Sequence, residues 1–184
     1  MSQTRPNEPD FAALLDRFEG PLLRYARATL GRQHADAQDV VQEAFLRLHR
    51  QHAERGLGGI ENLATWLYRV THNAAIDALR RAKARPERVG GAQVEFELEG
   101  RSAGNTRADN PPGELGRKEA CAVAMSELET LPEIQRSTIT LKIIEGMTMK
   151  QIGDVLGMAP SNVCYHISQG LAELARRLKR KGLE

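Results

Sequence analysis

Aromatic residues supply only 4% of this 184-residue chain, so whatever core it buries is aliphatic. Cysteine is equally scarce. Cys121 and Cys164 are too few and too far apart in sequence for a disulfide framework, and both are expected to stay reduced. No apolar run approaches the roughly 20 residues of a membrane span, and the opening MSQTRPNEPD lacks the apolar stretch of a secretion signal. These absences predict a cytoplasmic protein without direct membrane insertion. Charge nearly balances, 26 basic against 24 acidic side chains for a net +2, so bulk basicity argues for no partner. No Gly-rich phosphate loop, nucleophile elbow or paired carboxylates in a plausible cleft can be found, and no catalytic role is expected. His49 with His52, and Cys164 with His166, offer at most two ligands each where a zinc site uses three or four. No metal or cofactor is therefore predicted.

What is present is organised around Leu131 to Lys181. Thr148 and Gln151 have the spacing of a capping box, and Met147 and Ile152 that of a hydrophobic staple. Gly157 suits the left-handed position after a helix, and Pro160 suits the first turn of the next. The spacing predicts a helix-turn-helix, whose second helix would show its N-terminal side chains to the base edges of a major groove. Ile152, Val155, Leu156, Val163, Ile167 and Leu171 are expected to fill its core. That places Ser161, Asn162, Tyr165, His166 and Gln169 outward, and a basic tail from Arg176 and Arg177 to Lys181 follows where a duplex backbone would run.

Upstream, helical spacing links Phe11, Leu14, Leu15, Phe18, Leu22, Ala26 and Leu30, with Gly20-Pro21 predicting a break and a fresh helix. Asp36 can cap a helix through DAQDVVQEAFLRLHRQ, with Val41, Phe45 and Leu48 inward and Asp39, Gln42, Glu43, Arg47 and Arg50 toward solvent. The loop HAERGLGGIE follows, with glycines at 56, 58 and 59. Asn62 can then cap a long helix with Leu63, Trp66, Leu67, Val70, Ala74 and Ile76 on its apolar side and Arg69, Asn73, Asp77, Arg80 and Arg81 along its polar side. Residues 84–116 are rich in Gly, Pro, Asn and Asp and hold 4 basic against 6 acidic side chains, whereas residues 1–83 and 117–184 each carry an excess of two basic ones. The pattern predicts an all-α chain: two small helical domains, 1–83 and 117–184, joined by an extended linker over 84–116. The β-branched run Thr138 to Thr140 argues mildly against helix where PEIQRSTITLKII would otherwise continue one.

The strings Asp36 to Leu48, Ala64 to Val70 and Asn73 to Arg81 resemble the second region of bacterial sigma factors, and the terminal helix-turn-helix resembles the fourth. With both ends and little else, the chain is similar to the short, extracytoplasmic-function type of sigma-70 factor. The resemblance implies binding to core RNA polymerase through Asp39, Gln42, Glu43 and Arg47. It implies contact with a downstream promoter element through Arg55 and Gly56 of the loop, which would receive an extruded base, and through Asn73, Asp77, Arg80 and Arg81. It implies contact with an upstream element through Ser161, Asn162, Tyr165, His166, Gln169, Arg176 and Arg177. It also implies an anti-sigma factor as a partner. The reader helix departs from the family pattern, because Cys164, Tyr165 and His166 stand where a Lys or Arg pair is usual. Trp66 and Tyr68 are candidate stacking platforms for melted bases, with a core position the alternative for Trp66. A stand-alone helix-turn-helix regulator would explain the C-terminal half alone, and leaves the first 83 residues without a role.

Overall fold

Helix α1, Phe11–Leu30, runs unbroken through Pro21 and buries Phe18, Leu22, Tyr25, Ala26, Thr29 and Leu30. The expected break at Gly20-Pro21 does not occur. The proline ring clashes with the backbone N–H and the Cβ of the residue before it, and Gly20, having no Cβ, removes the second of these. In the computed structural model residues 11–31, 37–84 and 112–181 are described. They form seven α-helices and one π-helical turn, with no strand among them. Asp36 and the strand-like stretch at 94–98 lie outside the described residues, as does most of the expected linker.

Helix α2, Ala37–Arg55, buries Val40, Val41, Ala44 and Leu48. It continues past the predicted end, so His52 to Arg55 are helical rather than loop, and it stops where the Gly56 N–H bonds His52 O at 3.0 Å. Asn62 caps α3, Leu63–Ala84, through a 2.9 Å bond from the Thr65 N–H to its side-chain oxygen. Helix α3 packs against α1, α2 and also α6, so it buries more of its circumference than one apolar stripe. Tyr68, Thr71, His72, Ala75 and Leu79 are buried along with Leu67 and Ala74, while Trp66 sits half-buried at the core edge.

In the C-terminal half α4 spans Pro112–Glu129, reaching back into the segment read as linker. Helix α5, Glu133–Ile139, passes into a π-helical turn at Thr140–Ile144, so the β-branched run changes the helix type rather than ending it. Thr138 Oγ1 donates back toward the Ile134 and Gln135 carbonyls, both at 2.9 Å. Helix α6, Met149–Leu156, carries the expected capping box from Thr148 and Gln151 and ends at Gly157 with φ 68°. A Cβ at Gly153 would stand 2.6 Å from Met158 O, so the turn closes only over a bare Cα. Helix α7, Pro160–Arg180, starts with Pro160 in its first turn.

One face of α7 turns differently from the expectation. Val163, Ile167 and Gly170 are buried, and Leu171 is 40% exposed. Gly170 lets α5 approach so closely that a Cβ there would lie 2.7 Å from Ile139 Cδ1 and 3.1 Å from Gln135 Cβ. That approach draws Gly170 inward and swings Leu171 off the core.

The two halves share one apolar core, in which Leu22, Tyr25, Leu67 and Tyr68 join Leu141, Met147, Ile152 and Val155. Helix α3 lies on α6, and α1 lies on α5. Polar contacts cross the same seam. The Tyr68 hydroxyl donates to Glu145 Oε2 at 2.5 Å, and Arg24 Nη2 stands 3.7 Å from Glu145 Oε1. Buried Arg136 donates to Thr29 O at 2.7 Å, to Glu129 O at 2.7 Å and to Leu131 O at 3.2 Å. These are carbonyls left over where α1 and α4 end, so one guanidinium caps both helices. Gly31, at φ 62°, ends α1 beneath it, and a Cβ there would meet Arg136 Nη1 at 3.0 Å.

Candidate nucleic-acid interface

The capping box and the Gly157 turn fix how α6 hands over to α7, and burial of Val163 and Ile167 fixes the rotation of α7 about its axis. Ser161, Asn162, Tyr165 and Gln169 are consequently exposed together, with His166 half-buried beside them. Tyr165 is 61% exposed, and its ring meets the His166 ring edge-on at 5.4 Å between centroids. This face offers amide, hydroxyl and ring groups but no cation until Arg176. It can bond adenine through Asn162 and Gln169 and press Tyr165 on a thymine methyl, while the usual strong guanine contact is missing.

The basic tail is partly committed inside the molecule. Arg176 and Arg177 both bond the Glu173 carboxylate, and these donors hold it below the usual carboxylate range. Arg177 also donates to Thr130 Oγ1, and Lys181 pairs with Glu127 at 2.6 Å, which lowers the Glu127 pKa. Arg177 and Lys181 thus tie the end of α7 to α4 and its following turn. Arg176, Lys179 and Arg180 are exposed on the outer side, where a phosphate backbone could reach them.

In the N-terminal half Asp39 and Gln42 are exposed on α2, and Arg47 Nε donates to Glu43 at 2.8 Å in a half-buried i, i+4 pair. Leu46, 53% exposed, shares their face, as its spacing of four from Gln42 requires, and sequence reasoning passed over it. The signal was an apolar residue at an outward helical position. Asn73, Asp77, Arg80 and Arg81 form an exposed stripe on α3 with Arg69. The Asp77 carboxylate lies 3.7 Å from the Arg80 guanidinium in an exposed pair, whereas Arg81 Nε donates to the backbone carbonyl of Asp77 at 3.3 Å. The loop between α2 and α3 keeps Arg55 exposed, and ideal Cβ atoms on Gly56, Gly58 and Gly59 would meet nothing within 4 Å. Half-buried Leu57 anchors that loop against the core, leaving its glycine backbone approachable.

Tyr68 is not a stacking platform. It is buried at the seam with its hydroxyl on Glu145, and burial with that acceptor pushes its pKa well up. His72, also buried, sits 2.9 Å from the Tyr25 hydroxyl through Nδ1, and desolvation lowers its pKa to about 4. The exposed stripe is thus backed on α3 by a neutral, hydrogen-bonded pair that the sequence did not reveal. His49 and His52 flank the Phe11 ring at 5.5 and 5.4 Å. Among the described residues no three His, Cys, Asp or Glu side chains gather as metal ligands, and no helix is long and apolar enough to cross a membrane.

Comparison with known proteins gives the arrangement a lineage. Residues 14–85 match the family described as Sigma-70 region 2, and residues 123–174 match Sigma-70, region 4. The chain is 26% identical over 182 residues to the ECF RNA polymerase sigma factor SigW of Bacillus subtilis, covering 97% of this chain and 95% of that one. It is 30% identical over 173 residues to the ECF RNA polymerase sigma factor SigM of Mycobacterium tuberculosis, covering 91% and 76%. Among solved structures, the sigma factor RpoE in complex with the anti-sigma factor NepR from Bartonella quintana superposes with a TM-score of 0.63 at 19% identity, covering 94% of this chain and 98% of that chain. CnrH in complex with the cytosolic domain of CnrY gives a TM-score of 0.59 at 23% identity, covering 95% and 91%. The last two likenesses speak for the fold alone, whereas the match to relatives along most of their length speaks for descent: the chain belongs to the extracytoplasmic-function sigma factors of the sigma-70 family.

Proposed function

We propose a division of labour in which each exposed face described above meets one partner of the transcription complex. The outward face of α2, Asp39, Gln42 and Leu46 with the Glu43–Arg47 pair at its flank, docks on core RNA polymerase, Leu46 supplying the apolar centre that such interfaces need. The α2–α3 loop at Arg55 and Gly56 receives an unstacked base, and Asn73, Asp77, Arg80 and Arg81 meet the opening duplex. Ser161, Asn162, Tyr165, His166 and Gln169 read the upstream element, and Arg176 with its exposed neighbours contacts phosphates. The chain directs initiation without itself catalysing a covalent step, and it works in the cytoplasm where polymerase is. An anti-sigma factor is its counterpart, as for the sigma factor RpoE from Bartonella quintana, solved in complex with the anti-sigma factor NepR.

The observation that carries this reading is the outward cluster at the start of α7, held in place by buried Val163, Ile167 and Gly170. Transcription of genomic DNA by core polymerase with and without the chain tests it. Transcripts that appear only with the chain, and that share one upstream and one downstream motif, are expected. Tight binding of the chain alone to DNA with no new transcript would point instead to a stand-alone regulator.

A further inference from the structure

The outward side of α7 is set apart by what it lacks. From Pro160 to Ala175 the helix carries no lysine or arginine, so the side chains that most often bond guanine bidentately are missing along about four turns. Arg176, the first cation, is turned onto Glu173. Three exposed side chains remain that can tell one base from another: the amides of Asn162 and Gln169 and the ring of Tyr165. Among the described residues neither amide has a hydrogen-bonding partner in the protein. Ser161 can bond any base or a phosphate, so it adds no preference.

Their spacing converts into base pairs. An α-helix completes a turn in about 3.6 residues and rises about 1.5 Å per residue, so Asn162 and Gln169 lie almost on one line, roughly 10.5 Å apart. Base pairs stack at about 3.4 Å, and the two amides therefore address pairs about three steps apart. Tyr165 stands between them, roughly 4.5 Å along the axis from Asn162, or about one step. Its ring is 61% exposed and rests edge-on against His166 at 5.4 Å, which presents an apolar surface to the groove. The apolar group that a major groove offers in return is the thymine methyl.

We propose that the upstream element is specified by A·T pairs alone: an adenine for Asn162, a second adenine about three pairs on for Gln169, and between them, about one pair from the first, a thymine whose methyl meets Tyr165. The proposal rests on the assignment of α7 as the upstream reader given above, and goes beyond it in naming the bases and their spacing. Guanine is rejected as well as unrewarded. An amide that accepts from adenine N6 and donates to N7 would, on guanine, set its carbonyl oxygen against O6, acceptor to acceptor.

Holoenzyme assembled from core polymerase and the full chain tests this, competed at fixed salt against duplexes randomised over the upstream element. Selected sequences should carry the two adenines and the thymine at these spacings, with no guanine preference at the three pairs. Placing 7-deazaadenine, which lacks the N7 acceptor, at the first adenine should weaken wild type about fivefold or more and leave Asn162→Ala unaffected; at the second adenine the insensitive variant should be Gln169→Ala. Deoxyuridine in place of the thymine removes only a methyl group, and should weaken wild type about fourfold while leaving Tyr165→Ala unchanged. Gln169→Arg should move the preference at its pair from adenine to guanine. All three residues are exposed, and unchanged helicity checks that each variant folds. Guanine enriched at any of the three pairs by wild type, or a loss with modified bases that persists in the matching variant, would overturn the base assignment and leave α7 as the upstream reader. An upstream library that stays random while transcription proceeds would refute the reader assignment itself, and the proposal with it.

Discussion

His72 makes the stability of the N-terminal half sensitive to mild acid. Its imidazole is 8% exposed, its Nδ1 lies 2.9 Å from the Tyr25 hydroxyl, and burial lowers its pKa from 6.5 to about 4. Burial also pushes the Tyr25 hydroxyl up, so it stays protonated and can donate to an unprotonated Nδ1. The folded state therefore binds a proton less readily than the unfolded chain. Stability from this site is complete above pH 6.5, declines as pH falls below it, and is fully lost near pH 4. The whole difference is about 3 kcal/mol, and the part falling between pH 7 and pH 5, above the range where most carboxylates titrate, is about 2 kcal/mol. Urea unfolding at both pH values and constant ionic strength measures it, with His72→Gln as control, because Gln can still accept from Tyr25 and does not titrate. Wild type should lose about 2 kcal/mol more than the variant on going to pH 5. Equal losses in the two chains would refute the argument, since they would mean that His72 is hydrated in the folded state.

Other perturbations follow from the same geometry. Asp39→Arg with Gln42→Arg should weaken binding to core polymerase by about 2 to 5 kcal/mol with helicity intact, read by competition for core, and unchanged affinity would remove α2 from that interface. Gly153→Ala should lower the denaturation midpoint, because a Cβ 2.6 Å from Met158 O costs about 1 to 3 kcal/mol by overpacking against roughly 1 kcal/mol gained in helix propensity; a stabilised variant would show that the turn yields. Asn162→Ala should cost about 1 to 3 kcal/mol at one or two upstream positions, whereas Lys179→Ala should weaken all sequences alike and reduce the salt slope by about one. Competition of holoenzyme against a randomised upstream element measures both, and a uniform loss for Asn162→Ala would show that α7 enters DNA differently.

The helix-turn-helix was legible because its signals are local. Thr148 with Gln151, Gly157 and Pro160 act within four residues of the structure they dictate, and each does in the fold what its chemistry predicts. The outward side of α7 followed from the same rotation, apart from Leu171, whose displacement depends on how closely Gly170 lets α5 approach. Less legible were residues whose burial is decided by a partner far along the chain. Thr71 and His72 look like the polar side of an amphipathic helix, and only the packing of α1 against α3 makes them interior. Tyr68 reads as an accessible aromatic until α6 covers it.

Of the misread positions Tyr68 lies at the seam, and the reason is informative. Periodicity assigns a helix one buried face, so it fails wherever a helix is covered from two directions. Helix α3 is such a case, and Tyr68 lies on the face that α6 covers. A seam built for permanence would be expected to pair apolar with apolar there, because an unmatched buried polar group costs more than a methyl group. Instead Tyr68, Glu145, Arg24 and Arg136 stand there, beside an apolar contact made by Leu141 and Met147. The apolar part draws the halves together without regard to geometry. The polar part fixes one register, because its hydrogen bonds are directional. Such a composition explains why an apolar pattern alone could delimit two modules but could not foresee that they pack on each other.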